Sequence, residues 1–116
     1  MPEHSHHHAI TEQQYLEAVL RTYEGQPGRT RNQLCLSALG LAGESGEVVD
    51  QIKKHLFQGH PLDKERLIDE LGDLLWYYML LCQYLDCTLT QIMQTNVSKL
   101  LRRYPDGFAV ARSLER

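Results

Sequence analysis

Between Thr30 and Leu85 the apolar residues recur at intervals of three and four, interrupted once at Gly59-His60-Pro61. That period belongs to helices; a half-buried strand would alternate by two. The first run carries Leu34, Ala38, Leu41, Ser45, Val48, Val49, Ile52 and Leu56 on one stripe. The second carries Leu67, Leu71, Leu74, Leu75, Tyr78, Cys82 and Leu85. Two such helices joined by a short turn are expected to pack antiparallel, stripe to stripe. From Leu74 onward, Trp76, Met79 and Leu80 make the second helix apolar on its other side as well. A helix that is apolar all round is buried on all sides, which predicts burial against another subunit as well as against its own bundle.

Two shorter helices flank this pair. Thr11 and Gln14 stand at capping-box spacing before a helix reaching Tyr23, and Gly25-Gln26-Pro27-Gly28 ends it. Thr88 and Gln91 repeat that spacing before a helix to Arg103, which stops at Tyr104-Pro105-Asp106-Gly107. Asp63 is placed to cap the helix that starts after Pro61. The expectation is an all-α bundle of about four helices with a central antiparallel pair, assembled as an oligomer. Residues 1–10, which include MPEHSHHH, read as a flexible His-rich tail, and 11–116 as one domain. Gly40, Gly43 and Gly46 lie inside the long helix, where each costs roughly 0.5–1 kcal/mol against Ala. They predict a close approach by something else, a break in the helix being the alternative.

Composition removes several function classes. With a net charge of −3, no strong global field draws the chain to a nucleic-acid polymer or an anionic membrane. The longest apolar stretch, Leu74 to Cys82, falls far short of the roughly twenty residues that a membrane span needs. Cys35, Cys82 and Cys87 are odd in number and form no CxxC pair, which reads as reduced, packed thiols of a cytoplasmic protein.

The chemistry rests on four carboxylates. Taking 100° per residue from Leu34, Glu44 falls at about −80° and Glu47 at about −140°. Taking Leu67 as zero on the next helix, Glu70 falls at about −60° and Asp73 at about −120°. An antiparallel pair carries equal offsets to the same side, so all four share one face. Counted from a turn centred on His60, Glu47 and Asp73 stand at the same height, with Glu44 and Glu70 about one turn away. Carboxylates so crowded repel one another without a counter-charge. Oxygen-only ligands select a hard cation, Mg²⁺ or Mn²⁺, over zinc. Glu-x-x-His, the di-iron signature, is absent from both helices. The alternative is that these are solvated flank residues of ordinary amphipathic helices.

The segment LGLAGESGEVVDQIKKHLFQGHPLDKERLIDELGDLLWYY, followed by NVSKLLRRYPDGF, resembles the MazG-like nucleotide pyrophosphohydrolases of the all-α NTP pyrophosphatase superfamily. The resemblance spans about residues 12–113, and its specificity lies in the order ESGE, ELGDLLWY, KLLRRYPDGF. It implies that Glu44, Glu47, Glu70 and Asp73 bind Mg²⁺ and form the catalytic centre, with Mn²⁺ as a substitute. The family pattern often adds a Glu just before the first pair, where this chain has Gly43. The implied reaction splits a nucleoside triphosphate between its α and β phosphorus atoms, giving a monophosphate and pyrophosphate. The implied role is nucleotide-pool house-cleaning by a dimer or tetramer. Related enzymes for dUTP or phosphoribosyl-ATP, and a non-catalytic oligomerisation or nucleotide-sensing module, are the alternatives.

Substrate contacts follow from the last helix. Asn96, Lys99 and Arg103 recur at helical spacing, and Tyr104 follows directly. The resemblance sets them over the triphosphate; a solvated helix end, where cations favour the macrodipole, is the alternative. Lys54 falls near the acidic side of its helix and either touches phosphate or pairs with a carboxylate. Tyr77 shares the flank of Glu70 and is a candidate to line the nucleotide pocket, while Trp76 reads as interface or core.

Overall fold

The computed structural model describes residues 9–25 and 28–107. Four helices follow one another there: α1 (Glu12–Thr22), α2 (Arg31–Phe57), α3 (Lys64–Tyr84) and α4 (Leu89–Arg103). No strand occurs among the described residues, so the fold is all-α as expected. The expected His-rich tail, residues 1–10, lies outside the described residues apart from Ala9 and Ile10. No helix among the described residues is long and apolar enough to cross a membrane.

The helix starts form where the sequence places them. Gln14 N–H donates to Thr11 Oγ1 at 3.1 Å and Thr11 N–H to Gln14 Oε1 at 2.9 Å. Thr88 and Gln91 repeat this reciprocal box at 2.9 and 3.0 Å. Asp63 Oδ1 accepts from Arg66 N–H at 3.1 Å, and Thr30 Oγ1 from Gln33 N–H at 3.1 Å. Each cap satisfies donors that a helix start otherwise leaves unpaired. α2 runs through Gly40, Gly43 and Gly46 without a break. It ends at Phe57, and just beyond it Gly59, with φ of 73°, lets His60 N–H fold back onto Lys54 O at 3.1 Å.

Two compact units are distinguished, one ending at Asp86 and the other starting at Cys87. In the first, α3 packs against both α2 and α1. Gln33 meets Leu80 and Gln83, Gly40 meets Tyr77, and Glu44 meets Glu70 and Asp73, so α2 and α3 run antiparallel.

The face that α2 turns inward differs from the expected apolar stripe. Gln33 and Ser37 are fully buried. Gly40, Leu41, Glu44, Val48 and Gln51 continue that line half-buried. Leu34, Val49, Ile52 and Leu56 are exposed instead, Val49 and Leu56 by 63% each. The inward face is therefore turned by about 80° from the expected stripe and centres on Glu44. Its two fully buried polar residues are satisfied there, whereas Gln51 Nε2 and Glu44 Oε2 further along are buried without a hydrogen-bond partner. Ser37 Oγ donates to Gln33 O at 2.8 Å, and the Gln33 amide donates to Leu80 O at 3.3 Å and to the Gln83 side-chain oxygen.

The apolar core of this unit is Val19, Met79, Leu80 and Cys82. α3 also packs on α1 of the same chain, the burial within the bundle that was expected. All three cysteines are free thiols, with Cys82 buried, Cys87 half-buried and Cys35 exposed rather than packed. In the second unit α4 buries none of its residues fully, and Met93, Val97, Leu100 and Leu101 are exposed.

Candidate metal centre

Glu44 leaves α2 from the middle of its inward face, and Glu70 and Asp73 leave α3 one turn apart. One carboxylate oxygen from each of the three lies within 4.8 Å of the others, Glu44 and Glu70 being half-buried and Asp73 exposed. Burial first, then a hydrogen bond with Glu70 and the charges of Asp73, Glu70 and Glu47, push the Glu44 carboxyl above its ordinary range. Its Oε2 is shut away from solvent with no hydrogen-bond partner. A buried, unpartnered carboxylate oxygen beside two further carboxylates is costly alone and suits a hard divalent cation. The donor set fits Mg²⁺ or Mn²⁺ and offers no nitrogen or sulfur ligand that would favour zinc.

Glu47 stands apart from this trio. It is exposed, and it reaches Glu44 only through its charge. The expected height match of Glu47 with Asp73 is not what the register gives, because Glu44 faces Asp73. The cause is the turn. Its first residues fold back onto the end of α2. There His60 N–H bonds to Lys54 O, and His60 O lies 2.9 Å from His55 Nδ1. That slides α3 by about one turn relative to a symmetric hairpin.

Beside the trio opens a cavity of about 350 Å³ lined by Glu44, Asp73, Trp76 and Tyr77. The Tyr77 ring lies across Gly40, in the space that a Cβ there would fill. Trp76 meets Tyr77 edge to face, with centroids 5.0 Å apart and planes at 79°. The Trp76 indole N–H donates to Thr22 Oγ1 at 2.8 Å. Tyr15, also from α1, stands close enough to Asp73 that burial first and that charge second raise its phenol pKa. Sequence reasoning found Tyr77 but missed Trp76, Thr22 and Tyr15. Trp76 stands three residues after Asp73, a spacing that puts both on one side of α3; nothing in the sequence marked the two α1 residues.

The basic residues are distributed differently. Lys54 pairs with Asp50 at 3.0 Å, and Lys53 meets the same carboxylate at 3.4 Å. Hydrogen bonds from Lys54 and then Lys53 hold Asp50 below its ordinary pKa. Lys54 thus makes the carboxylate pairing that was one of its two readings. Asn96 and Lys99 line a cavity of about 430 Å³ with Cys87, Gln91, Ile92 and Thr95, all within the second unit. Arg103 is half-buried at the end of α4, and Tyr104 caps that helix, its N–H donating to Leu100 O at 2.8 Å.

A family model described as the MazG nucleotide pyrophosphohydrolase domain matches residues 34–108. The chain belongs to this family. Glu44, Glu47, Glu70, Asp73, Trp76 and Tyr77 all fall within the MazG match, whereas Tyr15 and Thr22 precede it. The "Gene 37 protein" of Mycobacterium phage L5 is 36% identical over 73 residues, which cover 60% of this chain and 64% of the phage protein. The chain thus spans less than two thirds of the length of that relative. No solved structure matches the chain.

Proposed function

We propose that this MazG domain is a Mg²⁺-dependent nucleoside triphosphate pyrophosphohydrolase. It would cleave the α–β phosphoanhydride to release a nucleoside monophosphate and pyrophosphate, as a house-cleaning activity on the nucleotide pool. The observation that carries this reading is the Glu44, Glu70 and Asp73 trio, within 4.8 Å of one another at the mouth of an aromatic-lined cavity.

When bound, Mg²⁺, or Mn²⁺ in its place, neutralises phosphate oxygens and favours ionisation of water. Glu44, Glu70 and Asp73 would hold that ion. Glu47 stands outside the trio and is exposed, which leaves it able to take the proton of the attacking water. Water oxygen bonds to the α phosphorus, and the bond to the bridging oxygen breaks, so that oxygen leaves with pyrophosphate. Lys99 and Arg103, with Asn96 and Tyr104, are the groups we assign to the triphosphate, since one divalent cation does not satisfy all its oxygens. Lys54 is tied to Asp50 and would contribute only by exchanging that partner. A second copy of the chain is the partner we assign to the exposed apolar residues of α2 and α3, as a dimer or tetramer.

The test is product analysis. Purified protein incubated with canonical and modified nucleoside triphosphates should release pyrophosphate with Mg²⁺ and none without it. Orthophosphate as the sole product, or no metal-dependent turnover with any nucleotide, rejects the proposal. Asp73→Ala and Glu47→Ala should each abolish turnover while leaving the helical circular dichroism unchanged.

A further inference from the structure

Trp76 is the only tryptophan in the chain, and its ring is fixed from two directions. Thr22 Oγ1 accepts its N–H at 2.8 Å. The Thr22 hydroxyl in turn donates back to the α1 carbonyls, with Ala18 O at 2.9 Å and Val19 O at 3.0 Å. Its proton points into the helix, and a lone pair is left for the indole. Val19, in that same turn, is fully buried, so the accepting group is anchored to the core. Tyr77 meets the indole edge to face, and Tyr77 is itself laid across Gly40.

This arrangement decides what Trp76 offers the cavity. Its single polar group is occupied, so it presents aromatic surface and no free donor. The same cavity holds Glu44 and Asp73. The lining therefore combines two carboxylates with two aromatic side chains. Such a lining suits a ligand with an anionic part, bridged to the carboxylates by a cation, and a planar part lying on the rings. A holder outside the MazG match is not required for the carboxylate trio, because Glu44, Glu70 and Asp73 come from α2 and α3 alone. Thr22 serves the ring.

We propose that Trp76 is the platform on which the nucleobase of the substrate stacks, and that Thr22 of α1 is the residue that positions it. This rests on the nucleotide reading above and adds to it where the base goes and what sets the ring. Since the indole N–H is engaged, the platform binds through its face, and it accepts purines and pyrimidines alike.

The experiment uses tryptophan fluorescence excited at the red edge of the indole band, where the tyrosines do not absorb and Trp76 is the sole emitter. Wild-type protein with Mg²⁺ is titrated with nucleoside triphosphates carrying a non-hydrolysable methylene between the α and β phosphorus atoms, and separately with inorganic tripolyphosphate. The nucleotides should quench Trp76 and tripolyphosphate should not. Thr22→Val, isosteric but without the acceptor, should raise the nucleotide Kd and KM by ~2–10-fold, the range for one hydrogen bond. Its kcat and its affinity for tripolyphosphate should stay near wild type, and Thr22→Ser should restore Kd and KM. Thr22→Ala, which also lacks the hydroxyl and favours the helix, serves if the valine variant is unstable. No quenching by any nucleotide, equal quenching by tripolyphosphate, or a hydroxyl-free variant with wild-type Kd overturns the proposal. Quenching without pyrophosphate release leaves the platform standing and removes the reaction; pyrophosphate release without quenching does the reverse.

Discussion

The ring of Tyr77 occupies the space beside Gly40 in which any other residue would carry its Cβ. Two opposing effects meet at this position. Ala in a helix interior is normally favoured over Gly by roughly 0.5–1 kcal/mol. Forcing a methyl into a packed ring costs about 1–3 kcal/mol, so overpacking wins. Gly40→Ala should lower the thermal midpoint by several degrees and raise KM, because Tyr77 lines the cavity beside Glu44. Gly43 is the control: nothing lies within 4 Å of a Cβ there, so Gly43→Ala should be neutral or stabilising. Thermal melts of both variants should show opposite signs. A Gly40→Ala protein as stable as Gly43→Ala would mean that Tyr77 moves aside freely.

Glu44 sets how the metal-free protein responds to pH. Its carboxyl pKa is raised above the ordinary 4.5, by burial first and by Glu70, Asp73 and Glu47 after that. A raised acid pKa means that the fold prefers the neutral form. The resulting stabilisation is full below 4.5 and is lost as pH rises through the higher folded value. The expected outcome is that the thermal midpoint without metal falls over that window, and that millimolar Mg²⁺ restores it by supplying the counter-charge. Glu44→Gln should remove both the pH slope and the Mg²⁺ response, raise the metal-free midpoint by roughly 2–5 °C, and abolish turnover. A Glu44→Gln protein that Mg²⁺ still stabilises as in the wild type would show that the ion binds elsewhere.

The helices were legible because their signals are local. Thr11 with Gln14, Thr88 with Gln91, and Asp63 each act within one turn of their own position, and each forms the bond that its spacing implies. The rotation of α2 was not legible, because it depends on a partner fifty residues away. Gln33 reads as a surface residue until Leu80 O and Gln83 are brought against it. The meeting of Glu44, Glu70 and Asp73 was readable from helical period and hairpin topology, but their exact level was not. That level depends on how residues 58–60 fold back onto Lys54, a backbone matter that a count from His60 does not contain. Thr22 and Tyr15 reach the site only through the packing of α1 on α3, for which no spacing rule exists.

Gln33 gives the cleanest test of the polar inward face. It is fully buried, and its amide donates to Leu80 O and to Gln83. Truncation removes both bonds and leaves a cavity beside buried acceptors. Gln33→Ala should cost about 1–3 kcal/mol in urea unfolding at unchanged m-value. Truncating its exposed neighbour in the same way, Asn32→Ala, should fall within about 0.5 kcal/mol of wild type. Equal effects at both positions would refute the rotated face of α2.

The apolar stripe that α2 does not bury asks for a cover. Val49 and Leu56 are 63% exposed and Phe57 80%, while Ile68 and Leu71 on α3 are exposed by 56% and 50%. Apolar residues this dense on two adjoining helices are characteristic of an association surface. For a monomer, Val49→Glu would be a surface change worth less than about 0.5 kcal/mol. In a dimer or tetramer that buries Val49 between copies, the same change places an unpaired charge in the interface and drives dissociation. The wild-type protein is expected to sediment at a multiple of 13.4 kDa, and Val49→Glu at that single-chain mass with its helical content retained. Wild-type sedimentation as a single chain across the micromolar range would reject self-association. A Val49→Glu protein still fully assembled would move the interface away from α2.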